Sequence, residues 1–434
     1  MPIDEHALKI DEGRCTGCVE CTRSCPAKAI RVRDGIAEVM AERCIDCGEC
    51  YRVCPQGAIV PVTTTHTDLS AFKYKVALPS PALYSQFGPN ILPEDVLHAL
   101  LSIGFDLAYD KAYACEMVFG EVKDYIEQNH SREPFISPVC PAVTRLVQLM
   151  FPELTSLILP FRPPREVAAK AIKMDVSNRL GIREDEIAVI HITPCLAKLA
   201  AMINPPTGEK SYLDGAVGIS EIYAQLLTAL KQREKKVDEI PELLHRSSGM
   251  GIGFGRVGGE VTDLGFEESL AVSGVQDTIS ILRDLERRKL QNMKYLECQI
   301  CPGGCIGGPL TVQNRYIASH TISKFVGLFG SKPQVEEMMK SGEQERAHFR
   351  LAKSINPVSI PPLDTDTSFA IGKMRLREEI LRKLPGKNCA ACGAPDCLTL
   401  ADDIVRGRAS IEDCVFIRAD GQYRRIKGKG ARKR

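Results

Sequence analysis

Sixteen of the eighteen cysteines fall into four groups of four, and each group has the spacing of an iron–sulfur ligand set. Two groups lie near the N-terminus: Cys15, Cys18, Cys21, Cys25 and Cys44, Cys47, Cys50, Cys54, each followed by a proline (Pro26, Pro55). A third, Cys389, Cys392, Cys397 and Cys414, lies near the C-terminus, and the fourth is scattered over distant segments as Cys140, Cys195, Cys301 and Cys305. Only Cys115 and Cys298 stand outside. Thiolates at such spacings bind soft metals, and iron–sulfur centres carry electrons, so the chain reads as a series of redox centres. A ligand set drawn from three remote loops reads, in addition, as a reactive metal site.

Both N-terminal groups match Cys-x2-Cys-x2-Cys-x3-Cys-Pro, and each is followed by an Ala-Ile pair, Ala29-Ile30 and Ala58-Ile59. This internal repeat resembles the bacterial two-cluster ferredoxins, in which the fourth cysteine of each run serves the other cluster. The resemblance implies one [4Fe–4S] centre on Cys15, Cys18, Cys21 and Cys54, and another on Cys44, Cys47, Cys50 and Cys25. Zinc is the alternative occupant of a four-cysteine site. Residues 1–62 form a ferredoxin-like α+β unit too small and polar to fold on apolar burial alone, so metal ligation must supply much of its stability. The polar stretch Thr63–Asp68 reads as a linker.

From residue 73 to 354 the texture is that of an α/β domain. Ile187–Ile192 (IAVIHI) is an apolar run suited to a buried parallel strand. Glu94–Ile103 is amphipathic, with Val96, Leu97, Leu100 and Leu101 on one face and Pro93 at its start. Cys195 follows the IAVIHI run and so belongs at the carboxyl end of a strand, where open α/β sheets place their ligand sites. A proline-rich segment from Asn356 to Thr367 reads as extended. Phe369–Leu384 reads as a helix that opens a small iron–sulfur domain over residues 369–420, with a second helix at Thr399–Gly407. Gly393 and Pro395 turn the chain between its ligands. The cysteine spacing there resembles a [4Fe–4S] domain of corrinoid and electron-transport proteins, with zinc again the alternative; it would pass electrons outward or dock a partner. The basic tail 421–434 reads as a solvated end.

Composition narrows the partners. The chain has 434 residues and a formal net charge of +1, so no global field argues for nucleic acid or a membrane. With neither a long apolar run nor a basic-then-apolar N-terminus, a membrane span or secretory signal is not expected. Cys-x-x-Cys pairs outside a secreted context read as metal ligands, not disulfides, which favours a reducing cytoplasm. Gly253–Gly258 spells G-x-G-x-x-G without a convincing strand before it or helix after it; its glycines are expected to let backbone pack beneath the scattered cysteines. The histidines show no ligand spacing.

The scattered cysteines sit in the loops Ser137-Pro138-Val139-Cys140-Pro141, Thr193-Pro194-Cys195-Leu196-Ala197-Lys198 and Cys301-Pro302-Gly303-Gly304-Cys305-Ile306-Gly307-Gly308. The glycines let backbone and a bulky cofactor come close, and Lys198 offers a cation to an anionic metal group. These loops resemble the TSCCP, MPCxxK and CPGGC motifs of the [FeFe]-hydrogenase catalytic domain, from about Lys75 to Ile322, and the ferredoxin-like extension also fits that family. The resemblance implies two parallel-sheet lobes around an H-cluster: a [4Fe–4S] centre on Cys140, Cys195, Cys301 and Cys305, bridged by Cys305 to a binuclear iron carrying CO, cyanide and a dithiolate. Lys198 matches the lysine that hydrogen-bonds a cyanide. It implies H2 and protons as substrates, three further [4Fe–4S] clusters, and a ferredoxin-like or signalling protein as partner in an anaerobic cytoplasm. The alternative is a plain [4Fe–4S] cluster without binuclear iron, as in hydrogenase-like proteins of iron–sulfur assembly.

The chain departs from that pattern at Val139, where the family has a second cysteine that shuttles protons. Valine can neither donate nor accept one. Positioned proton transfer commonly contributes about 10²–10⁴-fold, so turnover by the ordinary route is expected to be slow. Cys298 with Glu297, Cys115 with Glu116, and Glu260 are candidate replacements. The default for the two cysteines is a buried apolar position, and for the carboxylates a solvated one. The lost thiol and the C-terminal domain resemble the sensory branch of the family, in which H2 binding need only change a redox state.

Overall fold

The computed structural model describes residues 6–130, 134–232, 246–332 and 348–418. The chain divides into two compact units. The larger holds Met1–Ala7, Ile45–Gly48 and Pro61–Val358; the smaller holds Leu8–Cys44, Glu49–Val60 and Ser359–Arg434.

The N-terminal elements follow the cysteine repeat. They are β1 (Leu8–Ile10), α1 (Glu20–Ser24), β2 (Ile30–Arg33), β3 (Ile36–Val39), α2 (Glu49–Val53) and β4 (Ile59–Pro61). β1 pairs with β4, and β2 runs antiparallel to β3. Each run places its third cysteine in a five-residue helix, Cys21 in α1 and Cys50 in α2, then turns at the Cys-Pro step into a strand beginning at the repeated isoleucine.

After α3 (His66–Leu69) the larger unit alternates strands and helices: β5 (Tyr74–Pro79), α4 (Pro93–Ser102), β6 (Leu107–Ala108), α5 (Lys111–Gln128), β7 (Phe135–Ile136), α6 (Pro141–Met150), α7 (Pro164–Leu180), β8 (Ile187–Thr193), α8 (Leu196–Ile203), β9 (Gly215–Gly218), α9 (Ile219–Gln232), α10 (Gly249–Gly253), α11 (Gly259–Leu264), β10 (Ser269–Ser273), α12 (Val275–Glu286), β11 (Tyr295–Gln299) and α13 (Arg315–Phe329). Two parallel sheets result, ordered β6-β5-β8-β9 and β10-β11-β7.

β8 is buried along its whole length, as a central parallel strand must be when helices cover both faces. Alternate residues of β5 serve opposite faces: Ala77 packs with Leu97, Leu100 and Phe325, while Val76 and Leu78 pack with Ile172 and Val176 of α7. His191, in the middle of β8, is fully buried, and its Nδ1 lies 2.8 Å from the Leu78 carbonyl. Burial pushes its pKa well down, so it is a neutral core residue. A separate core of Phe119, Val122, Ile126, Phe135, Leu264 and Tyr295 lies around the second sheet.

The expected linker at Thr63–Asp68 is not free chain. Thr64 N donates to the Ala216 carbonyl at 2.9 Å and Ala216 N donates back to Thr64 Oγ1 at 2.8 Å, beside edge strand β9. Backbone groups on a sheet edge need partners, and a threonine segment supplies both donor and acceptor.

In the smaller unit the chain ends in α14 (Thr367–Lys383) and α15 (Cys397–Val405), close to the two helical stretches the pattern indicates. Asp366 caps the first through Ser368 N at 2.8 Å, and Asp396 caps the second through Thr399 N at 2.7 Å. Ile380, Leu384, Leu400, Ala401 and Val405 close a small core that includes Cys414. The basic tail lies outside the described residues. Among the described residues no helix is long and apolar enough to cross a membrane.

Candidate functional site

The scattered cysteines all follow strands at their carboxyl ends. Cys140 comes after β7, Cys195 after β8, and Cys301 and Cys305 after β11. Cys140 and Cys195 also occupy the cap positions at the starts of α6 and α8, where the helix dipole favours a thiolate. Backbone hydrogen bonds hold the loops together. Ile300 N–H donates to the Cys140 sulfur, Leu310 N to the Pro194 carbonyl at 2.9 Å, Ile306 N to Gly255 O at 2.9 Å, and Val257 N to Gly303 O at 3.1 Å. The G-x-G-x-x-G segment therefore packs against the CPGGC loop. Gly304 adopts φ +91°, and a Cβ there would stand 2.4 Å from Val257 N, so no other residue fits.

Cys140, Cys195 and Cys305 lie within electrostatic reach of one another. Cys301 is half-buried on the same loop as Cys305, and its carbonyl accepts from Gly304 N at 2.9 Å. Burial, reinforced by the neighbouring thiolates, pushes Cys140 up to about 11 and raises Cys195 as well. Lys198 is 4% exposed, with Nζ 3.2 Å from Cys305 Sγ. Burial opposes its charge, but Cys305 and then Cys195 outweigh that and hold its pKa above the ordinary value. Such a set of buried thiols gains most when a thiophilic metal takes up the thiolates, and the donor chemistry fits an iron–sulfur cluster with an anionic group beside Lys198.

Around these loops the structure separates the relay candidates. Val139 is half-buried and packs against the core of the second sheet. Glu260, for which solvation is the default, is instead 1% exposed; the Tyr295 hydroxyl donates to its Oε2 at 2.6 Å, and Ser137 also bonds it. Burial raises its pKa. Glu297 is fully buried and accepts from Gly258 N at 2.9 Å, Val261 N at 3.2 Å and Gln299 Nε2 at 2.8 Å. Burial first, then the charge of Glu260, pushes it up to about 8. Cys298 is buried beside Cys140, and desolvation raises its thiol far above the usual range.

Cys115 and Glu116 are also buried, but Glu116 is committed to Ser248 N at 2.7 Å, Ser248 Oγ at 2.8 Å and Gly251 N at 3.0 Å, where it holds the start of α10. Sequence reasoning missed Lys111, a 5%-exposed lysine with Nζ 3.9 Å from Cys115 Sγ. It also missed Tyr295 as the partner of Glu260. A signal was present: Tyr295, Glu297 and Gln299 alternate along β11, so three polar groups share one face of a buried strand.

In the smaller unit Cys15, Cys18, Cys21 and Cys54 line one cavity with Val32 and Ala37. Cys50 interacts with Cys44 and with Cys25 of the other run. Cys47 belongs to the Ile45–Gly48 segment of the larger unit. Backbone N–H groups of the repeated alanines point at sulfur, Ala29 to Cys25 and Ala58 to Cys54, both at 3.2 Å, and Ala37 reaches Cys15 at 3.4 Å. Hydrogen bonds of this kind tune cluster potentials. At the C-terminal set, Cys392 interacts with Cys389 and Cys414, and Cys397 packs in the same small core. All eighteen cysteines are free of disulfides.

Three family models match the chain: "Iron only hydrogenase large subunit, C-terminal domain" over residues 73–268, "4Fe-4S dicluster domain" over 7–55, and an Fe-S cluster family over 384–416. The chain is 21% identical over 349 residues to the NADP-reducing hydrogenase subunit HndD of Solidesulfovibrio fructosivorans, a match covering 68% of this chain and 55% of that one, so it spans little more than half of that relative's length. It is 24% identical over 366 residues to the periplasmic [Fe] hydrogenase large subunit of Nitratidesulfovibrio vulgaris, covering 71% and 86% of the two chains. A solved structure of a variant of the [FeFe]-hydrogenase HydA1 from Chlamydomonas reinhardtii superposes with a TM-score of 0.53 at 13% identity, over 68% of this chain and 98% of that one. At that identity the likeness concerns the fold.

Proposed function

We propose that this chain, which is an [FeFe]-hydrogenase-like family member, splits H2 reversibly (H2 ⇌ 2H⁺ + 2e⁻) at the centre formed by Cys140, Cys195, Cys301 and Cys305, slowly enough to act as a hydrogen sensor. One observation carries the reading: a buried ammonium, Lys198, stands 3.2 Å from the sulfur of Cys305. A four-thiolate cubane, itself an anion, would take part of that charge through Cys305 and Cys195. A cation buried there is best matched by an anionic ligand that it can hold through a charge-assisted hydrogen bond.

The binuclear iron of an H-cluster would supply the cleavage of H2 when bound. The chain's own groups position it and move protons. Cys305 would help hold it and Lys198 would orient it. Val139 can neither give nor take a proton where a thiol would, so protons must travel by another route. Glu260, Tyr295 and Glu297 offer one, because a carboxyl held near pH 8 by burial can both give and take a proton under cellular conditions. Cys298, on the opposite face of β11, lies within electrostatic reach of Cys140 as well as of Glu260 and Glu297. Electrons would leave through the accessory [4Fe–4S] centres to a ferredoxin-like or signalling protein in an anaerobic cytoplasm.

Val139 also favours a second reading, an electron-transfer or assembly protein with four cubane clusters and no binuclear iron. Infrared spectroscopy of the matured protein separates the two. The hydrogenase reading expects CO and cyanide stretches and two irons beyond those of the cubanes; a silent spectrum with cubane iron alone leaves the second.

A further inference from the structure

We infer that the C-terminal cysteine set and the Cys15, Cys18, Cys21, Cys54 set form one electron-exchanging pair, joined through Val32 and Gly393. The inference rests on reading both sets as [4Fe–4S] ligands, and goes beyond it by assigning the C-terminal centre its electron partner.

The two sets belong to one compact unit although they lie at opposite ends of the chain. Asp403 of α15 is 2% exposed and takes both Arg31 and Arg33 of β2: Arg31 Nε at 2.5 Å, Arg31 Nη2 at 3.2 Å and Arg33 Nη2 at 2.9 Å. Lys28 reaches Asp396 at 2.6 Å. Buried charges of this kind add little net stability against apolar packing, but pulling either partner away leaves an uncompensated buried charge. The clamp fixes β2 against the C-terminal cysteine loop.

What it fixes there is a short path. The Val32 side of β2 lines the cavity of Cys15, Cys18, Cys21 and Cys54. Val32 N donates to the Gly393 carbonyl at 2.8 Å, and Arg33 Nη1 donates to the carbonyl of Cys392 at 3.1 Å. One residue on each side and one hydrogen bond therefore separate the first cavity from a cysteine of the last set. Gly393 adopts φ +80°, and a Cβ there would fall 1.9 Å from Val32 O, so the contact exists only because glycine stands there. The exchange is a bare one-electron step: the electron that leaves one centre arrives at the other, with no bond made and no proton moved. Cys389 is exposed, so this end of the pair can hand the electron to an outside acceptor.

The test uses the full-length reconstituted protein, reduced with dithionite. Iron and acid-labile sulfide are counted first, and electron paramagnetic resonance then reads spin–spin interaction. With the C-terminal iron present, we expect the C-terminal signal to be broadened by a neighbouring reduced cluster. In Gly393→Ala it should narrow to an isolated signal with iron content unchanged, and stopped-flow reduction of that centre should slow at least tenfold. If that variant loses its C-terminal iron, Arg33→Gln, which removes only side-chain contacts, should still weaken the interaction and slow the step. Full iron with an isolated C-terminal signal in the wild type overturns the pairing alone, as does broadening that neither variant alters. A wild-type protein that takes up no iron at the C-terminal set overturns the cluster reading, and the pairing with it.

Discussion

In the smaller unit the cysteines of the first run, and Cys44, Cys50 and Cys54 of the second, are near neighbours in sequence, each run carrying a five-residue helix and its flanking turns. In the larger unit Cys140, Cys195 and Cys305 come within electrostatic reach of one another although they follow three different strands, β7, β8 and β11, of which β8 and β11 are buried along their whole length. The first arrangement can be specified locally but has little apolar core to hold it. The second is built by the core and then loaded. Iron should therefore be a folding element in one unit and a guest in the other.

That contrast breaks most directly when iron is withheld. Apo protein should lose amide protection throughout residues 8–44 while β5 and β8 keep theirs, as read by hydrogen exchange under reducing conditions. Equal loss in both units would make iron structural everywhere and end the distinction.

The next largest effect sharpens it. Asp403 joins β2 to α15 by buried charges, not by apolar area. Asp403→Asn leaves Arg31 buried without its counter-charge, at a cost of about 3–5 kcal/mol. Opening of residues 28–33 and 397–405 should become roughly a hundred- to a few-thousand-fold more frequent by hydrogen exchange. On the proposed hydrogenase reading, the scattered centre should keep its CO and cyanide bands. Loss of those bands would show that the two units do not hold their metals independently.

On the proposed hydrogenase reading, Val139→Cys in the larger unit adds a thiol at the position that matches the proton-shuttling cysteine of [FeFe]-hydrogenases. H/D exchange on H2 should rise about a hundredfold, at the low end of what positioned proton transfer supplies. An unchanged rate and pH profile would mean that delivery at this position does not limit exchange.

These differences also explain how much the sequence reveals. Spacing exposes the three local cysteine sets because their ligands recur at short fixed intervals, whereas the scattered set is suggested only by the likeness of its three loops to known motifs; IAVIHI and the Pro93 helix are visible because burial imposes a period. The Arg31–Asp403 clamp is invisible: its partners stand 372 residues apart, and each looks like an ordinary surface charge. The same holds for Thr64, whose partner on β9 is supplied only by the fold. Glu260 follows two glycines with no period to mark it, so its burial beneath Tyr295 emerges only from packing. The Tyr295, Glu297, Gln299 alternation was readable, but a strand signal of three polar residues looks like a solvated edge until β11 is seen between β10 and β7.

The smallest expected effect concerns that face. Burial and the charge of Glu260 lift the Glu297 pKa from 4.5 to about 8 in the folded chain. The folded state therefore binds more protons than the unfolded state between these values, and stability must fall as pH rises across that window. Glu297→Gln removes the titration, so its stability should vary less between pH 5 and 8 in denaturant unfolding. If Glu297 also relays protons, wild-type H/D exchange should decline above pH about 8 as the carboxyl empties. The variant should exchange roughly tenfold more slowly, within the range of a positioned acid or base, and without that inflection. A flattened stability profile with unaltered exchange would mark Glu297 as a structural acceptor for Gly258, Val261 and Gln299 alone, and leave proton delivery to Glu260 and Cys298.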